Sequence, residues 1–367
     1  MHKSALAYLA LAVLSSTASA QNVIENPAKP SSRNAGRVVS MKEEMRIEDT
    51  GEGFFFKAPR GIRVSPKGDI FIEDGQGQVL QFDPQGHFVR NLFKKGQGPG
   101  ELLSVNDIWV SSDRLYLLGY PQKILIYDYS GNLLKEVSPK VIGGFARFIF
   151  ADTRGFLFQI EGYPDTSAGT GLKDIPRNII ELTPDGASLR TVGSFTIPGY
   201  LKFNRAGGSE VTTWNQLLVV ALDGNSLFLN YTPEYLVENS VRDKGAVVRQ
   251  FKRPYKRVKW SGGGGISMPG DNAPSPPEFL PDIHALHVVD GKIWVQTSTV
   301  VEGKGILVDV FDLEGRYVDN FFIQSLMKDP SGKPANMRLT IAGGFAYFKD
   351  KTEDELIVIK KCRLVGL

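Results

Sequence analysis

The sequence predicts an all-β fold, a six-bladed β-propeller whose N-terminal strand completes the last blade. Three observations lead there. A short hairpin unit recurs six times. A second turn, built on Asp and Gly, recurs only five times. A strand-like segment, residues 37–48, stands ahead of the first unit with no hairpin partner of its own.

The first hairpin pairs Ile62-Arg63-Val64 with Ile70-Phe71-Ile72. It returns as Ile108-Trp109-Val110 with Leu115-Tyr116-Leu117, and as Phe148-Ile149-Phe150 with Phe156-Leu157-Phe158. The fourth is Leu218-Val219-Val220 with Leu227-Phe228-Leu229, and the fifth Leu286-His287-Val288 with Ile293-Trp294-Val295. The sixth is Leu339-Thr340-Ile341 with Phe345-Ala346-Tyr347-Phe348. Each joins two β-rich runs across residues that tolerate positive φ. The second turns are Asp83 to Gly86, Asp128 to Gly131, Pro184 to Gly186, Asp243 to Gly245 and Asp312 to Gly315. An opening Asp caps its own turn, and Gly closes it where φ is positive. Two hairpins make a four-stranded blade, and turn spacings of about 45 to 69 residues fit blades with insertions. The sixth unit runs out after Leu356-Ile357-Val358-Ile359-Lys360. Residues 37–48, placed on its outside, complete it and remove the free edges of an open ring.

The chain has 367 residues, 39 Gly, 21 Pro and 10% aromatic residues, which suits many short strands. Lys3, the apolar run 5–14 and Ala18-Ser19-Ala20 form a secretory signal peptide pattern over residues 1–20, with cleavage after Ala20. Residues 21–36 read as a flexible N-terminal segment and residues 37–367 as the propeller. This places the protein in the periplasm or outside the cell, with no membrane span. Its only cysteine, Cys362, excludes an intrachain disulfide. A net charge of +3 gives no reason to expect nucleic acid as a partner.

The stretch Gly96-Gln97-Gly98-Pro99-Gly100-Glu101, followed by Asp107-Ile108-Trp109-Val110, resembles the bacterial exported six-bladed β-propeller protein family. The Asp-x-x-Gly turns resemble those of related NHL-repeat propellers. The resemblance implies an exported or surface propeller and names no activity.

In such a ring the innermost strand of every blade starts at one mouth of the central channel. Aligning the six hairpins puts Arg60, Asn106, Arg147, Gln216, His284 and Arg338 there. Three arginines favour an anionic ligand through forked, charge-assisted bonds. The bland reading has them paired with Glu101, Asp107 or Asp282, holding blades together. Glu101, beside the glycine-rich connection, and Trp214, in or near a loop and able to stack on a sugar, complete the candidate ligand-binding set. Trp109 and Trp294 read as core. The loops 162–178, 255–282 and 325–337 could build a rim around this mouth.

No cofactor is expected, and calcium is the one ion weighed. Gluconolactonase-type propellers hold a divalent cation on acidic and Asn ligands at inner-strand starts. Arg60 occupies the matching place here, which counts against such a metal site. His284 and His287, three apart, would point to opposite faces of a regular strand. No G-x-S-x-G elbow is present. The expectation is therefore a module binding a small molecule, carbohydrate or protein at the channel mouth, with an anionic ligand favoured. The alternative is a metal-assisted hydrolase or lyase of a lactone, ester or acidic carbohydrate at the same face. The sequence leaves catalysis open.

Overall fold

The structure is a computed structural model. It describes residues 23–49, 51, 53–75, 77–140, 146–162, 164, 167, 169–203, 209–213, 219–244, 246–260, 277–327 and 335–367. The signal peptide expected over residues 1–20 lies outside these.

Six antiparallel blades follow one another around the chain: 59–91, 104–137, 146–203, 219–252, 283–323 and 340–365. Inner strands of neighbouring blades touch, Val219–Asp223 with Ile283–Val289, Thr340–Ala342 with Pro59–Val64, and Ser104–Val110 with Ala146–Asp152. Each blade strand is apolar on both faces because each face meets a different neighbour. Leu115 and Leu117 pack toward blade 1, while Tyr116 and Leu118, one residue out of phase, pack toward blade 3. Ile293 and Val295 likewise pack toward blade 4, and Trp294 toward blade 6. The strand period of two thus divides each blade's side chains between two junctions. Each of the six blade junctions carries a buried apolar cluster of its own.

The ring closes as the missing sixth turn implies. Strand Arg37–Glu48 pairs antiparallel with the last strand, Ile357–Val365, from Ser40↔Val365 to Glu48↔Val358. Its first residues run parallel to blade 5, Arg37↔Phe321 to Val39↔Ile323, so one strand joins the outer edges of two blades. Val39 and Met41 enter the core between blades 5 and 6, and Ile47 that between blades 6 and 1.

The segment expected to be flexible differs from that expectation from residue 23 onward. Val23–Glu25 adds a fifth, parallel strand to blade 4. The buried Asn26 amide donates to Gly315 O at 2.9 Å and accepts from Tyr317 N at 2.8 Å. Ser32 N and Gly36 N then donate to Val318 O and Asn320 O of blade 5. Local composition hides this strap because its partners lie from 226 to 291 residues away.

Four of the five second turns form as their residues dictate, and Gly245, expected to close the Asp243 turn, lies outside the described residues. Asp83, Asp128 and Asp312 each accept a backbone N–H four residues on, from His87, Asn132 and Arg316. Gly86, Gly131, Gly186 and Gly315 close their turns at φ between 83° and 91°. The loop expected over 162–178 is strand from Gly171, in a long hairpin of Gly171–Leu182 and Ser188–Phe203, extended by Ser209–Thr213. Ile175 and Ile197 give it a small core of its own.

Candidate functional site

Four of the six innermost strands carry one extra residue in their pairing with the next strand. In blade 1, Pro59 pairs with Asp74 and Gly61 with Glu73, which leaves Arg60 as an extra residue. In blade 2, Val105 pairs with Gly119 and Asp107 with Leu118, which leaves Asn106 extra. In blade 5 the extra residue is His284, and in blade 3 it is Ile149, two residues beyond Arg147. A β-bulge re-aims side chains by resetting the strand's alternation. Arg60 and Arg63 therefore line one cavity together, as do Asn106 and Trp109, although a regular strand would send such residues to opposite faces. His287 likewise lies near His284, and burial, working against a hydrogen bond with Gln296, pushes its pKa down to about 4.

The cavity has a volume of about 550 Å³ and lies across the inner strands of blades 6, 1, 2 and 3. It gathers Arg60, Asn106, Arg147 and Arg338 from the expected ring, and adds Arg63, Asp107, Trp109 and Lys349. Ile62, Phe148, Ile149 and Ile359 form apolar stretches of its wall.

Its charged groups fall into two arrangements. Arg60 is held by Glu73, Nη2 to Oε1 at 2.7 Å and Nε to the same oxygen at 3.2 Å. Glu73 is 4% exposed, and burial pushes its carboxyl above the usual value against the pull of Arg60. Asp74, fully buried one residue on, accepts from Lys57 N and Ala58 N at 2.7 Å each and so fixes the chain that delivers Arg60.

The other arrangement centres on Asp107. Its carboxylate accepts from Phe148 N at 2.9 Å, linking blades 2 and 3, and from Ile108 N at 2.8 Å. Arg63 Nη2 stands 3.9 Å away, with its guanidinium 5.5 Å from the Trp109 ring centroid. Burial raises the Asp107 carboxyl, opposed by the charge of Arg63, by these backbone bonds and by the charge of Arg147. Arg338 reaches the water of the channel with protein closing round it on most sides. Among the described residues no hydrogen bond or ion pair holds its guanidinium. This crowding, then the charges of Arg63 and Arg147, hold its pKa below the ordinary arginine value. The charge of Arg338 reaches His284 on the neighbouring blade 5, and crowding followed by that charge lowers its pKa to about 4.

Glu101 is a correction. It lies outside the cavity and folds back on its own loop, where Oε2 accepts from Gly98 N at 2.9 Å. A Cβ at Gly96 would sit 1.9 Å from that oxygen, so the carboxylate explains the glycine. Glu136 accepts from Gly100 N at 2.8 Å, and Lys123 donates to Gly98 O at 3.0 Å, pinning the same connection. Asp282 also has another partner, Arg257, at 3.2 Å. Of the acids proposed to neutralise the mouth arginines, only Asp107 lies among them. Gln216 and Trp214 fall outside the described residues. Trp294 is core, as expected, whereas Trp109 packs beside the core and also lines the cavity. Among the described residues no three His, Cys, Asp or Glu side chains converge as metal ligands.

Arg63, Trp109 and Lys349 escaped the sequence reading. The recurring three-residue spacing of Arg60 with Arg63, Asn106 with Trp109 and His284 with His287 was their one visible trace.

The chain is a six-bladed β-propeller. Residues 49–169 match a protein family described as 6-bladed beta-propeller, and the resemblance read from the glycine-rich connection at 96–101 falls inside that match. A crystal structure of a Bacteroides fragilis protein described as exported shares the fold, at 12% identity and a TM-score of 0.51 over 94% of this chain and 99% of that one. BamB from Moraxella catarrhalis superposes at a TM-score of 0.39, with 12% identity over 88% of this chain and 99% of its own. In sequence, the adipocyte plasma membrane-associated protein of Salmo salar is 21% identical over 233 residues, 54% of this chain. The chain spans 56% of the length of that relative. Among the described residues no helix is long and apolar enough to cross a membrane.

Proposed function

We propose that this propeller is an exported binding module that takes an anionic small molecule at its channel mouth. Arg338 carries the reading. Among the described residues it is a guanidinium without a carboxylate partner, in a cavity where the charges of Arg63 and Arg147 act on it more strongly than that of Asp107. Among the described residues the cavity's cations outnumber its carboxylates, Glu73 and Asp107, and an anion entering among them relieves their repulsion. Arginine suits the task, because its planar fork holds carboxylate or phosphate oxygens in pairs and sheds water more readily than lysine. Asp107 and Asp74 position the cluster by holding the backbone that presents it. Export rests on the signal-peptide pattern and on likeness to an exported propeller.

The test is a thermal-shift screen of the purified protein against organic acids, phosphates, neutral sugars and divalent metals. A ligand that binds only the folded state raises the melting temperature as its concentration exceeds Kd. Anions are expected to stabilise the wild type and to lose that effect in Arg338→Met. Stabilisation by calcium or zinc alone would move the assignment to a metal-assisted enzyme.

A further inference from the structure

Resting on the anion-binding reading, we infer that the ligand carries at least two separate anionic groups on one carbon skeleton, as a di- or tricarboxylate does. The distribution of charge leads to this. The cavity's cations stand on different walls: Arg60 and Arg63 on blade 1, Arg338 and Lys349 on blade 6, and Arg147 on blade 3. Even with Arg147 set aside, four cations, Arg60, Arg63, Arg338 and Lys349, face two carboxylates, Glu73 and Asp107. Arg60 is bound to Glu73, and Asp107 acts on both Arg63 and Arg338, so a net charge of two remains, shared by Arg63 on blade 1 and Arg338 and Lys349 on blade 6. A monoanion neutralises one and leaves the other confined with less water. A single phosphate carries enough charge but on one centre, and it cannot lie against both walls at once.

The space between the walls fits the same ligand. A volume of about 550 Å³ exceeds what a lone inorganic anion fills and lies within the range of small-molecule sites. Ile62, Phe148, Ile149 and Ile359 line it between the charged positions and match a short carbon chain. Arg63, held near Asp107 and stacked on Trp109, is then the residue that selects for the second charge.

The experiment is isothermal titration calorimetry of the purified protein at low salt with butyrate, succinate, tricarballylate, inorganic phosphate and pyrophosphate. Succinate is expected to bind at least about tenfold tighter than butyrate, equivalent to roughly 1.4 kcal/mol, and tricarballylate at least as tightly as succinate. In Arg63→Met the preference of succinate over butyrate should shrink several-fold. Pyrophosphate binding as tightly as tricarballylate would keep the two-group ligand and assign phosphates as its source. Butyrate binding as well as succinate, or phosphate outdoing all the others, would overturn the two-group ligand but leave the anion site standing. If no anion binds, the anion-site reading itself falls.

Discussion

Two arginines of this propeller sit in opposite surroundings. Arg253, where blades 4 and 5 meet, donates Nε to Asp309 Oδ2 at 2.8 Å. Asp309 is fully buried and also accepts from the hydroxyls of Tyr235 at 2.8 Å and Tyr317 at 2.6 Å. The rings of Tyr235, Tyr255 and Tyr317 enclose the guanidinium, with centroids at 4.9, 5.3 and 5.4 Å. Burial works against the charge of Arg253, but Asp309 more than offsets it and its pKa rises above the ordinary value. Arg338 also loses water to its surroundings, but among the described residues no acid pairs with it, the charges of Arg63 and Arg147 outweigh that of Asp107, and its pKa falls. One arginine completes a closed polar network. The other is left incomplete by the folded chain, and an external anion would complete it.

The comparison can be broken most severely at Arg253. Arg253→Met leaves Asp309 charged and buried without its cation, and removing one partner of a buried pair costs about 3–5 kcal/mol. Urea denaturation followed by circular dichroism should show that loss. Arg338→Met should be neutral or slightly stabilising in the same measurement, because it relieves like-charge repulsion. Its cost should appear in anion binding, weakened about tenfold or more, read by calorimetry.

A smaller effect is expected from Asp107. Its carboxyl is raised, so it takes up a proton more readily in the folded protein than in the unfolded chain. Its charge therefore costs stability at neutral pH, and that cost is relieved as the pH falls through the raised value. Protonation also removes the one negative charge beside Arg63. Affinity for sulfate, which stays fully ionised above about pH 3, should rise a few-fold as the pH falls through that raised value and be nearly flat in Asp107→Asn. The two imidazoles oppose this in stability. Both His284 and His287 have pKa values pushed down to about 4, so the stability each contributes is present above its unfolded value and lost as the pH falls toward 4.

The blade count and the closing strand were legible because both are patterns of spacing. Six inner hairpins against five outer turns leave one place for residues 37–48, and hydrogen bonds from Ser40 to Glu48 fill it. The site was legible only in part. Aligning hairpins brought Arg60, Asn106, Arg147 and Arg338 to one cavity, because equivalent positions on equivalent strands open on the same channel. Strict alternation then hid Arg63 and Trp109, since an extra residue at Arg60 and at Asn106 turns the next residues round. Glu101 was misplaced for a different reason: a short loop lets a side chain reach its own backbone at 98 before it can reach the channel. The strap at 23–36 was invisible because Asn26 is matched by Lys252, Gly315 and Tyr317, all far along the chain.

The most direct measurement sets Arg338→Met beside Arg253→Met, recording unfolding free energy and anion affinity for both and for the wild type. The expected result is a separation: Arg338→Met keeps wild-type stability and loses the anion, and Arg253→Met loses stability and, where folded, keeps the anion. An Arg338→Met protein that binds anions as the wild type does, or that unfolds as readily as Arg253→Met, would contradict the assignment of the channel mouth as a binding site.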